Sequence, residues 1–281
     1  MDRTRSLPRL CFLLTAILTL AAVILRTVAM LSQFDTEVGY FNPSVAVTLN
    51  HALYFITAAL LIGMALFIPK NTLPTELCIP VRAPAAIPVG LALAAFTVAA
   101  LIICVPTATG RMILAPTLLG LPAAVYFFLS ANRSGRYSDP LSLAGFLPLV
   151  WSVTAIAELY FDRYITMNSP IKVSLHMGLL GFIFIILFEL RFRIGRAAPR
   201  AALVAFGLGS FACLNGSIPL LVATGARILQ DPLHVLYAVV LLTAGLYGLY
   251  LLFGHGCFIG NTDRKPADAP TPTAPNTDNA A

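Results

Sequence analysis

Six polar side chains lie within or at the ends of otherwise apolar segments, and their types are the ones that could do chemistry. They are Arg26, Asn50, His51, Glu158, His176 and Asn215. Inside a bilayer an ionisable group costs at least a few kcal/mol, so each needs a partner or a function. A guanidinium group binds carboxylates and phosphates through paired hydrogen bonds, and an imidazole can change its charge near neutral pH or bind a ligand.

Four of these side chains are expected at one depth. Arg26 lies eight residues before Phe34, which closes the first span, and this places it roughly 10 Å deep at the helical rise. Asn50 and His51 lie at a similar depth in the second segment, and His176 does so in the sixth. Together they predict a polar pocket that opens to the exterior. In it, Arg26 holds an anionic group or pairs with Glu158, and the histidines titrate or bind the ligand.

Simpler interpretations remain open for the same residues. The Arg26 side chain can extend to the lipid headgroups, and the histidines can make hydrogen bonds between helices. The segment Asn215-Gly216-Ser217, with Pro219 after it, can pack a small face against a neighbouring helix. Alternatively, it can break its helix locally and line a cavity, since non-helical backbone at that depth is tolerated only where it is buried. The second alternative makes Asn215 a binding residue.

Charged residues form a rim at the outer mouth of the predicted bundle. Glu158 and Asp162 are four residues apart and share a face of a continuing helix. With His176 nearby they could hold a divalent cation. A solvated rim is the simpler interpretation, and no metal site is assigned.

The segment 34–41 connects the first two apolar segments. Its glycine, Gly39, and its paired aromatics, Tyr40 and Phe41, predict an ordered loop that caps the bundle. Aromatic side chains of this kind are typical of the headgroup region, so we expect Tyr40 and Phe41 at that depth.

Composition excludes an ordinary soluble domain. Hydrophobic residues make up 58% of the chain and charged residues 11%, against roughly 25% charged residues in soluble domains. The net charge of +6 comes from short loops and does not indicate nucleic-acid binding. Five scattered cysteines show no metal-ligand spacing and an odd count, so we interpret them as small buried hydrophobic residues.

The apolar segments predict an all-α, polytopic membrane protein with eight spans, since a spanning helix needs about 20 apolar residues. The predicted spans are 10–31, 45–68, 85–104, 113–130, 141–160, 171–190, 201–224 and 233–253. The fourth contains Pro116, Gly120 and Pro122 and is expected to be kinked. The first could instead be a cleaved signal peptide, but its length and Arg26 argue against that.

Lysine and arginine alternate strongly between the two sides. Thirteen lie at the N-terminus, in the even-numbered loops and in the tail, and four lie in the odd-numbered loops. By the positive-inside rule, this predicts that both termini are cytoplasmic, in the inner membrane of a bacterium.

The second half of the chain resembles the first. Phe34-Asp35 recurs as Phe161-Asp162, and Thr109-Gly110 with its following arginine recurs as Thr224-Gly225 with Arg227. These are turn-forming residues, so the match depends less on aliphatic composition. We therefore predict two four-helix units, 1–134 and 135–258, related by an axis along the membrane normal, and a disordered cytoplasmic tail, 259–281.

Small residues predict where the helices approach closely. Gly178 and Gly181 in the sixth span, and Gly245 and Gly248 in the eighth, are expected to form close-packing faces.

No catalytic or nucleotide-binding motif is present, and no cofactor is predicted. The favoured function is binding or transport of a small polar or lipid-like solute at the interface of the two halves. Two alternatives stay open. One is a membrane sensor or complex-assembly subunit, and the other is an intramembrane lipid-modifying enzyme that uses His51, His176 and Glu158. Expected partners are the lipid bilayer, the solute, and a second copy or another membrane protein; nucleic acid is not expected.

The predicted topology can be tested with C-terminal reporters. A green fluorescent protein fused to the C-terminus should fluoresce in a bacterial host, because that terminus is expected in the cytoplasm. Alkaline phosphatase at the same position should be inactive. An active phosphatase fusion would contradict the predicted orientation.

Overall fold

The computed structural model describes residues 3–36, 38–67, 83–104, 111–132, 138–162, 169–194, 196 and 198–259. Nearly all of these residues are helical. The helices are α1 (Arg3–Ser32), α2 (Val45–Leu66), α3 (Ala86–Ala99), α4 (Leu114–Asn132), α5 (Asp139–Ala144), α6 (Phe146–Phe161), α7 (Pro170–Arg193), α8 (Pro199–Gly225) and α9 (Pro232–Ile259). A π-helical turn, Ala100–Cys104, extends α3, and a 3-10 turn, Arg111–Ile113, precedes α4. Residues 260–281 of the predicted tail, and several basic loop residues, lie outside the described residues.

Eight helical stretches are long and apolar enough to cross a membrane. They are Arg9–Ser32, Val45–Leu66, Ala86–Ile103, Leu114–Asn132, Asp139–Phe161, Pro170–Arg193, Pro199–Gly225 and Pro232–Gly254. Each coincides with one predicted span, so the all-α, multi-pass class is confirmed.

Capping residues and prolines fix where the helices begin. The Ser44 hydroxyl accepts a hydrogen bond from the backbone N–H of Val47 at 3.3 Å and caps α2. Pro170, Pro199 and Pro232 each occupy the first position of a helix, where the missing N–H has no intrahelical role. Because these positions set the register of each span, they also set the depth of its polar side chains.

The fifth span consists of two helices, which sequence analysis did not predict. The break between α5 and α6 falls at Gly145. Pro148 follows three residues later, and it has no N–H to donate to the carbonyl of Ala144. The lost hydrogen bond accounts for the position of the break.

Helix α8 is continuous through the segment that was considered as a possible break. It runs from Pro199 to Gly225 and contains both Asn215 and Pro219. The broken-helix alternative is therefore wrong, and packing against neighbours explains the small residues there. Of the 18 most apolar consecutive residues in each span, 78% are buried in α8 and 17% in α2. Among the eight spans, α8 is therefore the most enclosed and α2 the most peripheral.

The packing of the helices places α8 and α9 inside the bundle. Helix α8 contacts α1, α2, α7 and α9, while α9 also contacts α1, α3 and α7. On the other side, α3 packs on α4, α4 on α6 and α6 on α7. The first and second spans thus pack on α8, which belongs to the predicted second unit.

The duplication of four helices is not shown by this packing. The pairs α1–α2 and α3–α4 have counterparts in α6–α7 and α8–α9. However, α7 packs extensively on α8, whereas α2 and α3, their counterparts, share no comparable contact within the described residues. The repeat remains a prediction from the sequence.

Aromatic rings fill the interior between α3, α4, α6, α7 and α9. The Trp151 ring lies 5.4 Å from Phe96 and 6.1 Å from Phe182, measured between centroids. Phe127 lies 6.0 Å from both Phe182 and Tyr247. All of these side chains are buried, and most pairs have the edge-to-face geometry that aromatic quadrupoles favour. The rings in this part of the bundle are in contact with one another and shielded from the surroundings.

Glycines allow α7, α8 and α9 to approach closely, as predicted. A Cβ atom on Gly181 would lie 2.8 Å from the carbonyl oxygen of Gly209, and one on Gly209 would lie 2.7 Å from that of Gly181. A Cβ atom on Gly178 or Gly245 would likewise meet a neighbouring leucine at 2.6 Å. The prediction of close-packing faces is confirmed, and the α7–α8 crossing is held backbone against backbone.

Substitution at this crossing should destabilise the protein. In Gly209→Ala the new methyl group meets a backbone oxygen, and we expect a loss of about 1–3 kcal/mol in the free energy of unfolding. Gly63→Ala is the matched control, because no atom lies within 4 Å of its new Cβ. Thermal unfolding in detergent measures the stability of both variants. Equal midpoints for the two variants would contradict the packing.

Candidate functional site

A short hairpin closes one end of the bundle, here named the hairpin end. Residues Phe34–Asp35 (β1) pair with Tyr40–Phe41 (β2) in antiparallel register. The Asp35 carboxylate accepts a hydrogen bond from the N–H of Val38 at 3.1 Å, and Gly39 adopts a φ of 76°, a conformation that favours glycine. The described residues of the predicted loop therefore form a hairpin, while the headgroup depth of Tyr40 and Phe41 stays a prediction.

Arg26 of α1 lies beneath this hairpin with its charge buried. Only 7% of the residue is exposed. Its Nη2 donates to the carbonyl oxygen of Pro170 at 2.9 Å, and its guanidinium carbon lies 6.0 Å from the centroid of the Phe41 ring. Its Nε is buried without a hydrogen-bond partner.

No carboxylate in the described part of the chain forms an ion pair with Arg26. A carbonyl oxygen and a ring face offer only partial negative charge to a full positive one. The unused Nε donor and the missing counter-charge together leave the guanidinium able to accept an anion.

A small cleft opens beside the guanidinium group. Its lining residues come from α1, α2 and the hairpin: Arg26, Ala29, Phe41, Val47, Asn50 and His51. It holds about 200 Å³ of empty space, including the part open to the surroundings. The enclosed part has room for about one water molecule, so a carboxylate or phosphate group would place one oxygen there and its other atoms in the open part.

Asn50 and Asn215 form the floor below the cleft. The two side-chain amides exchange hydrogen bonds at 3.3 and 3.4 Å, and Asn50 also donates to the carbonyl oxygen of Ala22 at 2.8 Å. Both asparagines are buried. This network joins α1, α2 and α8, and it fixes α2 against the rest of the bundle.

His51 lies next to Asn50 on α2 and borders the cleft. It is exposed, in contrast to its neighbour. It can therefore reach a group bound by Arg26 from the open side.

The structure separates Glu158 and His176 from this site. Glu158 of α6 accepts a hydrogen bond from the Tyr237 hydroxyl at 3.2 Å. The Nε2 atom of His176 lies 3.2 Å from the carbonyl oxygen of Ile156, so it must carry the proton. The six predicted residues thus form two groups: four at the Arg26 cleft, and two on the α6 side of the bundle.

The second group includes two residues that sequence analysis missed, Tyr237 and His234. His234 is 4% exposed, and its Nδ1 lies 3.4 Å from the Asp231 carboxylate. Lys172, also buried, donates to the carbonyl oxygen of Asp162 at 2.6 Å. The spacing of three residues between Asp231 and His234, at the start of α9, could have predicted this pair from the sequence. Among the described residues, no three His, Cys, Asp or Glu side chains have a geometry that could hold a metal ion.

Comparisons with protein-family models, with curated proteins and with solved structures found no match for this chain.

The asparagine pair should be energetically coupled. In a double-mutant cycle of Asn50→Ala and Asn215→Ala, we expect a coupling energy between about 0.6 kcal/mol, the average for hydrogen bonds between membrane helices, and about 1.7 kcal/mol, the largest value. Each single variant leaves one amide buried without its partner. Additive losses in thermal unfolding would contradict the paired arrangement.

Proposed function

We propose that this chain is a multi-pass membrane protein that binds, and moves, a small polar or lipid-like solute with an anionic group. The site is the Arg26 cleft, which is lined by α1, α2 and the hairpin of the first predicted unit; its floor residue Asn50 bonds Asn215 of α8, in the second. With both termini in the cytoplasm of a bacterium, as the basic residues predict, the cleft faces the exterior.

The observation that carries this proposal is a buried guanidinium that forms no ion pair with any carboxylate of the described residues. Removing a cation from water is costly, and the cost is recovered only when an anion or several acceptors surround it. Arg26 has one carbonyl acceptor and a free Nε. A carboxylate or phosphate can bind a guanidinium through two parallel hydrogen bonds, which would use this donor.

The cleft contributes to selectivity by its size and its wall. The Phe41 ring covers the guanidinium, and Val47 contributes an apolar side. Only the anionic group fits inside, so the remainder of the solute lies outside the cleft or among lipid chains. Both a free anion and a lipid headgroup carry this chemistry.

A second candidate is a sensor or assembly subunit that binds the anion without moving it. The aromatic interior supports it, because the fully buried Trp151 and Phe182 rings lie in edge-to-face contact, 6.1 Å apart, where a passage through the second unit would be expected. The enzyme alternative has less support, since His176 and Glu158 have different partners.

The duplication is part of the proposal and is supported by sequence matches and by the corresponding helix pairs. On that view, the two units have diverged. Within the described residues, α2 and α3 of the first unit do not pack on each other as α7 and α8 of the second unit do.

The proposed site can be tested by ligand-dependent stability of the purified protein in detergent. At about 100 times its dissociation constant, a bound anion should add about 2.7 kcal/mol to the free energy of unfolding. Inorganic phosphate tests a free anion, and dihexanoyl phosphatidate tests a lipid-like one. Arg26→Gln should abolish the response.

Arg191→Gln is the matched control for this test. Arg191 also bonds a carbonyl oxygen and lies 5.7 Å from a phenylalanine ring, but it is exposed. It should respond to anions as the unmodified protein does. Without anion, Arg26→Gln should be at least as stable as the unmodified protein, because it loses a buried charge. A full anion response in Arg26→Gln would contradict the proposal.

Flux of labelled phosphate into vesicles separates the two candidates. Binding with Arg26-dependent uptake indicates a transporter, whereas binding without uptake indicates a sensor.

A further inference from the structure

Three buried threonines between α1 and α2 have hydroxyl groups without a partner. Thr15, Thr19 and Thr57 are 0%, 4% and 0% exposed. In the described part of the chain, each Oγ1 is buried and makes no hydrogen bond. A buried unsatisfied hydroxyl costs about 1–3 kcal/mol, so three in one region require an explanation.

Threonines elsewhere in the bundle behave differently. Thr97, Thr117 and Thr224 donate to the carbonyl oxygen four residues earlier in their own helices, at 3.1, 2.7 and 2.9 Å. That is the usual way for a helix to satisfy a buried hydroxyl. The three unpartnered hydroxyls are not used in this way.

The register of α1 and α2 places these threonines in a column below the Arg26 cleft. The two helices are antiparallel, with Asn50 bonded to Ala22 near the hairpin end and Cys11 bonded to Met64 near the other end. Counting along this register, Thr19 lies one turn below Asn50, and Thr15 and Thr57 share the next level.

Helix α8 forms the third wall of this column. A Cβ atom on Gly207 would lie 3.3 Å from the Thr15 hydroxyl. One turn higher, the Phe211 ring lies 4.8 Å from Tyr54, and one further turn reaches Asn215. The column bounded by α1, α2 and α8 is named the threonine seam here.

We propose that the threonine seam is the inner part of the solute path. An anion bound at Arg26 passes the asparagine pair and is then hydrogen-bonded in turn by the hydroxyls of Thr19, Thr15 and Thr57. Hydroxyl groups donate to an anion or to the water that accompanies it. The proposal rests on the proposed function and gives it a route.

The packing of α2 supplies the movement that the route requires. In this conformation the seam is closed, and Leu61 covers its lower part beside Gly207. Of the 18 most apolar consecutive residues in each helix, 17% are buried in α2 and 78% in α8. Displacing α2 breaks the asparagine hydrogen bonds and its packing on α1 and α8, while the aromatic interior stays intact.

Cysteine accessibility tests the route in a cysteine-free background of the full chain. The probe is sulfonatoethyl methanethiosulfonate, a small anionic reagent added to the outer side of intact cells. Thr19→Cys and Thr57→Cys should react at least about tenfold faster than Thr97→Cys, because thiol reaction requires access to the reagent. His51→Cys reports on the cleft itself.

Each outcome decides between the two proposals. Reaction at position 51 without reaction at 19 and 57 overturns the route and leaves the cleft intact. Reaction at position 97 as fast as at 19 and 57 also overturns the route. A failure of the proposed function appears separately, as an anion response that persists in Arg26→Gln.

Hydroxyl-radical footprinting of the unmodified protein covers the case in which the cysteine variants do not fold. Phe211 lies in the seam and Phe182 in the aromatic interior, and both are fully buried. If water enters the seam, Phe211 should be oxidised several-fold faster than Phe182. Equal protection of the two rings overturns the route.

Discussion

A polar group inside an apolar bundle must find a partner, and this constraint divides the molecule into two regions. On the α6 side, Glu158 and Lys172 have bonded partners, and the neighbouring interior is closed by stacked and edge-on rings. On the α1–α2 side, four buried donors of the described residues have no hydrogen-bond partner: Arg26 Nε and the hydroxyls of Thr15, Thr19 and Thr57. On the α6 side, Trp151 Nε1 and His234 Nε2 also lack a partner, but the α1–α2 side combines the larger number with an unpaired charge, so a polar ligand or water is expected there.

The asparagine pair lies within the α1–α2 region, between the Arg26 cleft and the threonine seam. It joins peripheral α2 to buried α8 through two amide hydrogen bonds and reaches α1 through the carbonyl of Ala22. Below it lies the threonine seam, and above it lies the Arg26 cleft. Because amides both donate and accept, the pair can open toward a passing anion or close on itself. At rest, the closed pair is suited to separate the Arg26 cleft from the threonine seam.

The sequence predicted the spans well and the site in part, for physical reasons. Eight apolar stretches define the spans, and prolines begin three of the helices. Glycines mark where α7, α8 and α9 approach one another most closely. Arg26, Asn50 and His51 line one cleft, as residues at one depth of consecutive antiparallel spans can, while their role in binding stays a prediction. The separate location of His176 could not be predicted, since helix order around the bundle depends on packing. Likewise, neither the Pro170 carbonyl under Arg26 nor the unpartnered Thr15 hydroxyl has a sequence signal, because rotamers and backbone acceptors decide both.

The central claim is that the Arg26 guanidinium holds an anionic group. The most direct test is an experimental density map of the protein purified with its native lipids, at a resolution that shows the Arg26 side chain. We expect density for a carboxylate or phosphate group within hydrogen-bond distance of Nε. A guanidinium group paired instead with a carboxylate side chain of the protein, with no further density in the cleft, would contradict the account.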